Sequence, residues 1–286
     1  MNTLSLSVVI PAYNEEQIIG ECLRCLAPQR EHIAEVLVVD NNSTDGTRAI
    51  VAAHAADWPA IRVIDEVEQG LVYARNRGLD SARGDLVARI DADTLVPPDW
   101  AQHILDFFAR DRDGYWAAAC GRGQAYDLPY GDAVGTLRQR WRTRKKNLVK
   151  QVPVLYGSNM ILRHDTWVAI RDKVAMRRDV FEDVDTGLCV TEIGGRNAFL
   201  PTITVGVAPR RMETGMASFA RYMFCLPRTL MLHRRYGLAL GAVVLYLPTI
   251  FLVHAARLVL LRAYDPKTRR LDPANVFRAR VDRLTP

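Results

Sequence analysis

Apolar residues in this chain fall into short unbroken runs, separated by stretches with helical spacing. Val8-Val9-Ile10 is the first run and predicts a strand. Asn14-Glu15-Glu16 then offers a cap and an acidic first turn for a helix ending near Leu26. Residues 36–39 predict a second strand, and Ser43-Thr44-Asp45-Gly46 a turn that opens another helix. Residues 61–64 predict a third strand, 71–82 a helix and 86–90 a fourth strand. Continuous apolar strands alternating with helices belong to a buried, mostly parallel sheet, so the expected fold class is α/β. Such sheets bind ligands beyond the carboxyl ends of their strands. Three polar stretches stand at those ends: residues 11–14, Asp40-Asn41-Asn42 and Asp91-Ala92-Asp93.

The middle of the chain is less regular. It predicts a strand near residues 115–120, a basic helix over 132–150 and a strand over 155–162. Helices after His164 and after Glu182 follow, then a strand over 199–205. Residues 238–253 are uncharged and almost wholly apolar, broken by Pro248, and the pattern resumes to Leu261. A membrane span needs about 20 apolar residues. Basic residues flank both sides, so a re-entrant or interfacial helix fits the positive-inside tendency better than a single span. The expected organisation is a catalytic domain over residues 1–215 and a basic, apolar, membrane-associating helical region over 216–286.

Composition narrows the class. In 286 residues the hydrophobic fraction is 49% and the charged fraction 24%, which suits a folded core rather than disorder. The net charge of +6 is patchy, with one cluster over Arg138, Arg140, Arg142 and Arg144 and others at Arg210 to Arg235 and in the tail. These patches suit anions such as lipid headgroups or phosphorylated substrates. No nucleic-acid motif accompanies them, so nucleic acid is not an expected partner. Cys22 and Cys25 lack a second ligand pair for zinc, and the odd count of five cysteines fits a reducing compartment. The N-terminal apolar run reads as a strand rather than a signal peptide, which places the expected catalytic body in the cytoplasm, at the inner face of a membrane.

Candidate chemistry concentrates in carboxylates. Asp91 and Asp93, one residue apart at the end of a buried strand, suit a hard divalent cation, Mg²⁺ or Mn²⁺, shared with a diphosphate. Glu182 and Asp183 open an apolar helix, where a carboxylate is favoured by the helix dipole and can also serve as a general base. Trp141, Trp167, His233 and His254 read as packing residues.

The ordered stretches Val8-Val9-Ile10-Pro11-Ala12-Tyr13-Asn14-Glu15-Glu16, Val38-Val39-Asp40-Asn41-Asn42-Ser43-Thr44-Asp45-Gly46-Thr47, Ala74-Arg75-Asn76-Arg77-Gly78, Asp91-Ala92-Asp93 and Glu182-Asp183 resemble glycosyltransferase family 2 over about residues 5–205. The resemblance implies a GT-A (Rossmann-like) fold with a C-terminal apolar helical appendage. It implies a nucleotide-sugar donor, a divalent metal and inversion at the anomeric carbon. Pro11, Tyr13 and Glu15 would line the nucleotide pocket, and Asp40 and Asn41 would contact the base or ribose. Arg75 would lie near the diphosphate or shape that pocket. Asp91 and Asp93 would hold metal and donor, Asp183 would be the base with Glu182 positioning it, and Gly157, Ser158 and Asn159 would line the acceptor side. The family often has Asp-Asp where this chain has Asp40-Asn41, so the UDP-sugar is a default. The Gln-x-x-Arg-Trp motif of processive members is replaced by Ser218-Phe219-Ala220-Arg221-Tyr222, which points to single additions. The expected acceptor is a hydroxyl of a cell-envelope glycan or of a lipid-linked sugar whose pyrophosphate Arg140, Arg142 and Arg144 would hold. Alternatives are a polyprenyl-phosphate glycosyltransferase and a non-catalytic nucleotide-sugar- or membrane-binding module. A sugar-nucleotide-forming nucleotidyltransferase would want a glycine-rich loop after the first strand, where this chain has Pro-Ala-Tyr-Asn-Glu-Glu.

Overall fold

A computed structural model describes residues 4–125, 148–208, 215–265 and 270–271. The chain forms two compact units, one built on residues 1–124 and 146–207, the other on 125–145 and 208–286.

The first unit is an α/β layer structure. Its main sheet has eight strands in the order β3-β2-β1-β4-β9-β6-β10-β8. They are β1 (Leu6–Ala12), β2 (Glu35–Asp40), β3 (Ile61–Asp65), β4 (Leu86–Arg89), β6 (Ala118–Cys120), β8 (Lys150–Val152), β9 (Met160–Arg163) and β10 (Asn197–Phe199). The first four pair in parallel, while β9 runs antiparallel between β4 and β6. A smaller sheet joins β5 (Thr94–Leu95), β11 (Val205–Val207) and β7 (Gly123–Ala125). The continuous apolar runs are explained by two cores. Val8, Ile10, Val36, Val38, Leu86 and Ala88 face one, and Val9, Leu37, Val39 and Val87 face the other.

Helices α1 (Ile19–Leu26), α2 (Thr47–Asp57), α3 (Leu71–Ser81) and α4 (Trp100–Arg110) connect the strands, and α5 (His164–Ile170) and α6 (Glu182–Glu192) follow β9. Regular helix begins later than the Asn14 cap predicts. Asn14 adopts φ +53° and its side-chain oxygen accepts the Thr44 N–H (2.8 Å), so the capping group serves a neighbouring loop. Two strand expectations also change. Residues 155–162 divide into a 3₁₀ turn at Gly157–Asn159 and then β9, because the Asn159 side chain is drawn into the core. Residues 199–205 form the end of β10, a turn through Pro201 and the start of β11, so the chain passes from one sheet to the other. Most of the expected basic helix, with Arg138, Arg140, Trp141, Arg142 and Arg144, lies outside the described residues, and Lys150 starts a strand. All five cysteines are free thiols.

The described residues of the second unit form α7 (Met216–Met223), α8 (Cys225–Leu232), α9 (Tyr236–Gly241) and α10 (Leu247–Ala263), the last two joined by a π turn over Ala242–Tyr246, and a short antiparallel pair, Tyr264–Asp265 with Arg270–Leu271. Pro248 does not break the run. It has no N–H to donate, and the π turn just before it absorbs the displaced register. The result is a 25-residue apolar helix, Tyr236–Leu260, long enough to cross a bilayer and mostly exposed. The expected run is therefore longer than its uncharged segment. His254 is buried and stacks on Phe219, 3.7 Å between ring centroids, as a packing histidine.

Helix α3 approaches the sheet where only glycine fits. A Cβ on Gly78 would stand 2.3 Å from the Val9 side chain and 2.9 Å from that of Val39. Gly78→Ala is expected to cost about 1–3 kcal/mol through overpacking, despite alanine's better helix propensity. Urea denaturation checks this, and an unchanged midpoint would show that the helix is loosely seated.

Candidate active site

The carboxyl ends of β1, β2 and β4 bring the three polar stretches to one end of the sheet. The first two interlock. Glu15 N–H donates to the Thr47 hydroxyl (2.8 Å), Glu16 N–H to Asp45 (3.1 Å), and Gly46 N–H to the Glu16 carboxylate (2.7 Å). Pro11 is buried beneath this clasp, Glu15 is half-buried and Tyr13 is exposed. Asp40 is buried at the end of β2. One of its oxygens takes the Arg48 guanidinium at 2.9 Å, while Oδ1 is buried with no partner. A buried acceptor left unsatisfied costs about 1–3 kcal/mol, so this oxygen suits a ligand N–H.

Asn41 is fully engaged within the protein. Its two amide protons go to the carbonyls of Glu66 (2.9 Å) and Glu68 (2.7 Å), and its oxygen accepts the Gly70 N–H (2.7 Å). These bonds tie the end of β2 to the loop after β3. Arg75 likewise does not reach outward. It is fully buried and donates to Asn76 Oδ1, to the Glu182 carbonyl (2.8 Å) and to the Thr186 hydroxyl (3.3 Å). It forms a brace under the first turn of α6.

The carboxylates meet around a residue that the motifs did not single out. Arg89, at the end of β4, is 2% exposed. Its guanidinium lies 2.6 Å from Asp91 Oδ1 and 3.6 Å from Glu182 Oε1. One cation thus ties the D-x-D loop to the start of α6. The signal was present in sequence: a charge inside the otherwise apolar strand Leu86-Val87-Ala88-Arg89-Ile90 is costly unless paired. Asp91 and Asp93 are half-buried, on oxygen donors alone, a set that fits a hard divalent cation.

Asp183 accepts the Gly157 N–H (2.9 Å) on one oxygen and the Val184 N–H (2.8 Å) on the other. Burial, and then the neighbouring Glu182 charge, raise its pKa to about 6, against the opposing pull of the Gly157 N–H and Arg89. A carboxylate so tuned can exchange a proton near neutrality. Gly157 sits against Arg89, since a Cβ there would be 2.2 Å from its guanidinium nitrogen. Ser158 is half-buried beside it. Asn159 is fully buried: its oxygen accepts the Trp100 indole N–H (3.0 Å) and its amide donates to the Ile203 carbonyl. Its side chain is thus directed into the core beneath the turn.

An α/β unit of this topology, with clustered carboxylates at its strand ends, defines a GT-A-type glycosyltransferase scaffold, and comparison with known proteins agrees. The profile of "Glycosyl transferase family 2" matches residues 7–183. This chain belongs to that family. It is 30% identical over 214 residues to an undecaprenyl-phosphate 4-deoxy-4-formamido-L-arabinose transferase of Pseudomonas fluorescens, covering 73% of this chain and 56% of that protein. It is 33% identical over 105 residues to the putative glycosyltransferase EpsH of Bacillus subtilis, covering 37% of this chain and 30% of that one. The chain thus corresponds to only part of each curated relative. Among solved structures, the fold is shared with S. aureus TarS 1-349 in complex with UDP-GlcNAc (TM-score 0.56, 18% identity, 80% of this chain and 66% of that one). It is also shared with the mannosyltransferase PcManGT from Pyrobaculum calidifontis in complex with GDP-Man and Mn²⁺ (TM-score 0.53, 23% identity, 95% and 84%).

Removing the central cation should be felt in the fold. Arg89→Met is expected to destabilise the protein by about 2–4 kcal/mol, toward the low side for a broken buried pair because the abandoned carboxylates reach solvent. Equilibrium denaturation reads this, and a loss below about 0.5 kcal/mol would mean that the carboxylates do not depend on Arg89.

Proposed function

We propose that this chain transfers a single sugar from a nucleotide diphosphate sugar to an acceptor hydroxyl, with inversion, at a membrane surface. The observation that carries the reading is Arg89, which joins the D-x-D carboxylate to the helix start bearing Asp183, so that a donor site and a base share one crevice. In this reading the base of the donor lies against Asp40, whose unpartnered Oδ1 suits the ring N–H of uracil or guanine. UDP remains the default. Tyr13, Pro11 and Glu15 border the nucleotide, and Asn41 and Arg75 hold the pocket's walls.

Asp91 and Asp93 would hold Mg²⁺ or Mn²⁺, which offsets charge growing on a departing diphosphate. Asp183 takes the acceptor O–H proton as that oxygen bonds to the anomeric carbon and the bond from carbon to diphosphate oxygen breaks. One displacement inverts the centre. Glu182 keeps Asp183 in a negative surrounding that strengthens it as a base. Gly157 and Ser158 border the acceptor. The 25-residue apolar helix of the second unit supports membrane association, with the catalytic unit on the cytoplasmic side.

A second reading is transfer to a polyprenyl phosphate, favoured by the Pseudomonas relative that aligns with 73% of this chain. A phosphate acceptor is already an anion and needs no proton removed.

Two measurements decide. With a hydroxyl acceptor, kcat/KM is expected to rise with pH through an apparent pKa near 6, because Asp183 acts only when ionised. Asp183→Asn should lose about 10²–10⁴ of the rate. Retained activity in that variant with undecaprenyl phosphate would favour the second reading. In thermal-shift assays, UDP or GDP with Mn²⁺ should raise the melting temperature, and Asp93→Ala should abolish the metal-dependent part. A folded protein unmoved by any nucleotide, with or without metal, would leave a non-catalytic membrane-binding module as the better account.

A further inference from the structure

Away from the carboxylates, the first unit carries a groove of about 590 Å³, within the ~300–1,000 Å³ typical of ligand sites. One wall is a stripe of α4: His103, Asp106, Phe107 and Arg110 follow helical spacing on a single face. The bend carrying Tyr115 and Trp116 and residues 200–202 complete the lining.

The bend is built, not loose. Both oxygens of Asp111 are used, one on the Tyr115 N–H (2.9 Å), the other on the Trp116 N–H (2.9 Å) and Arg163 (3.0 Å). Arg196 lies 4.2 Å from the Tyr115 ring centroid, and the Tyr115 and Trp116 rings meet edge to face at 4.8 Å. Trp116 in turn sits 6.3 Å from Phe107. Tyr115 is nonetheless 49% exposed. A half-exposed tyrosine ring, one face taken by Arg196, beside His, Asp and Arg side chains is chemistry for a carbohydrate. The part of the Tyr115 ring left open to solvent would meet the C–H face of a sugar, and the polar stripe its hydroxyls. An acyl chain would want an unbroken apolar lining.

The lining runs from the catalytic end of the sheet toward the other, since Tyr115 and Trp116 precede β6, which runs the same way as β4. β10 runs parallel to β6, β6 antiparallel to β9 and β9 antiparallel to β4, so β10 points the same way as β4. Residues 200–202, which follow β10, therefore lie at the end of the sheet that carries Asp91 and Asp93. Helix α4 starts at that end too, where Trp100 is bonded to Asn159, and its 11 residues run about 16 Å away from it.

We propose that this groove binds the distal sugars of a glycan acceptor, so that the chain recognises an oligosaccharide rather than only the residue that receives the new sugar. This rests on the transferase reading above, but its test is separable. The probe is an array of immobilised oligosaccharides of one to six sugars, screened with the full chain, Asp183→Asn, Tyr115→Ala and Tyr115→Phe. The first two should bind glycans of three or more sugars and not monosaccharides. Tyr115→Ala should bind the same glycans about tenfold more weakly, and Tyr115→Phe, which keeps the ring, nearly as well as the parent. Folding is checked by the melting temperature, which an exposed tyrosine hardly affects. Tyr115→Ala binding like the parent, or no glycan bound by any form, overturns the groove. Glycan binding that depends on Tyr115, in a protein unmoved by any nucleotide, would uphold the groove while sinking the transferase reading.

Discussion

A guanidinium removed from water is tolerable only if anions surround it, and Arg89 stands in that position at the end of β4. Asp91 answers from its own strand end and Glu182 from the first turn of α6. That balance holds two elements together that lie almost a hundred residues apart in sequence. It also fixes the turn at Gly157, which has no room for a side chain against the same guanidinium. Arg75, fully buried on α3, braces the start of α6 from the other side through the Glu182 carbonyl and Thr186. Two buried cations thus hold the start of α6, Arg89 through the Asp91 and Glu182 carboxylates and Arg75 through backbone and hydroxyl, while backbone N–H groups hold Asp183.

The same arrangement sets the chemistry. Asp183 is pushed toward the protonated form by burial and by Glu182, and pulled back by two N–H groups and Arg89. The balance leaves it near neutrality, where a base both takes a proton readily and releases it. Asp91, by contrast, is paired directly with Arg89 at 2.6 Å. Neighbouring carboxylates with different surroundings can hold different roles, one binding charge and the other moving a proton.

Packing constrains the scaffold as tightly as charge does. The sheet is apolar on both faces, with Val8 and Val9 belonging to different cores. Helix α3 can lie on it only because residue 78 has no side chain, which gives the glycine of the Ala-Arg-Asn-Arg-Gly stretch a steric reason. In the second unit, Pro248 interrupts the sequence pattern but not the helix, which passes through a π turn just before it.

The sequence by itself determined the α/β class, the first four strands and the three strand ends that carry polar groups. Those features are written in local periodicity, and apolar runs of strand length have few other ways to be buried. It also named Asp91, Asp93, Glu182 and Asp183, because carboxylates next to buried elements stand out. Tertiary structure alone decided which partners each side chain found. The amides of Asn41 and Asn159 are engaged by the loop at residues 66–70 and by Trp100 and Ile203. The Asn14 cap went to a neighbouring loop, and the strand expected over residues 199–205 was divided between two sheets. Hydrogen-bond donors and acceptors carry no mark of the distant group they will meet, and burial decides whether that meeting is required. Arg89 is the clearest case: its oddity was legible in the strand, but its office depended on carboxylates brought to it by the fold.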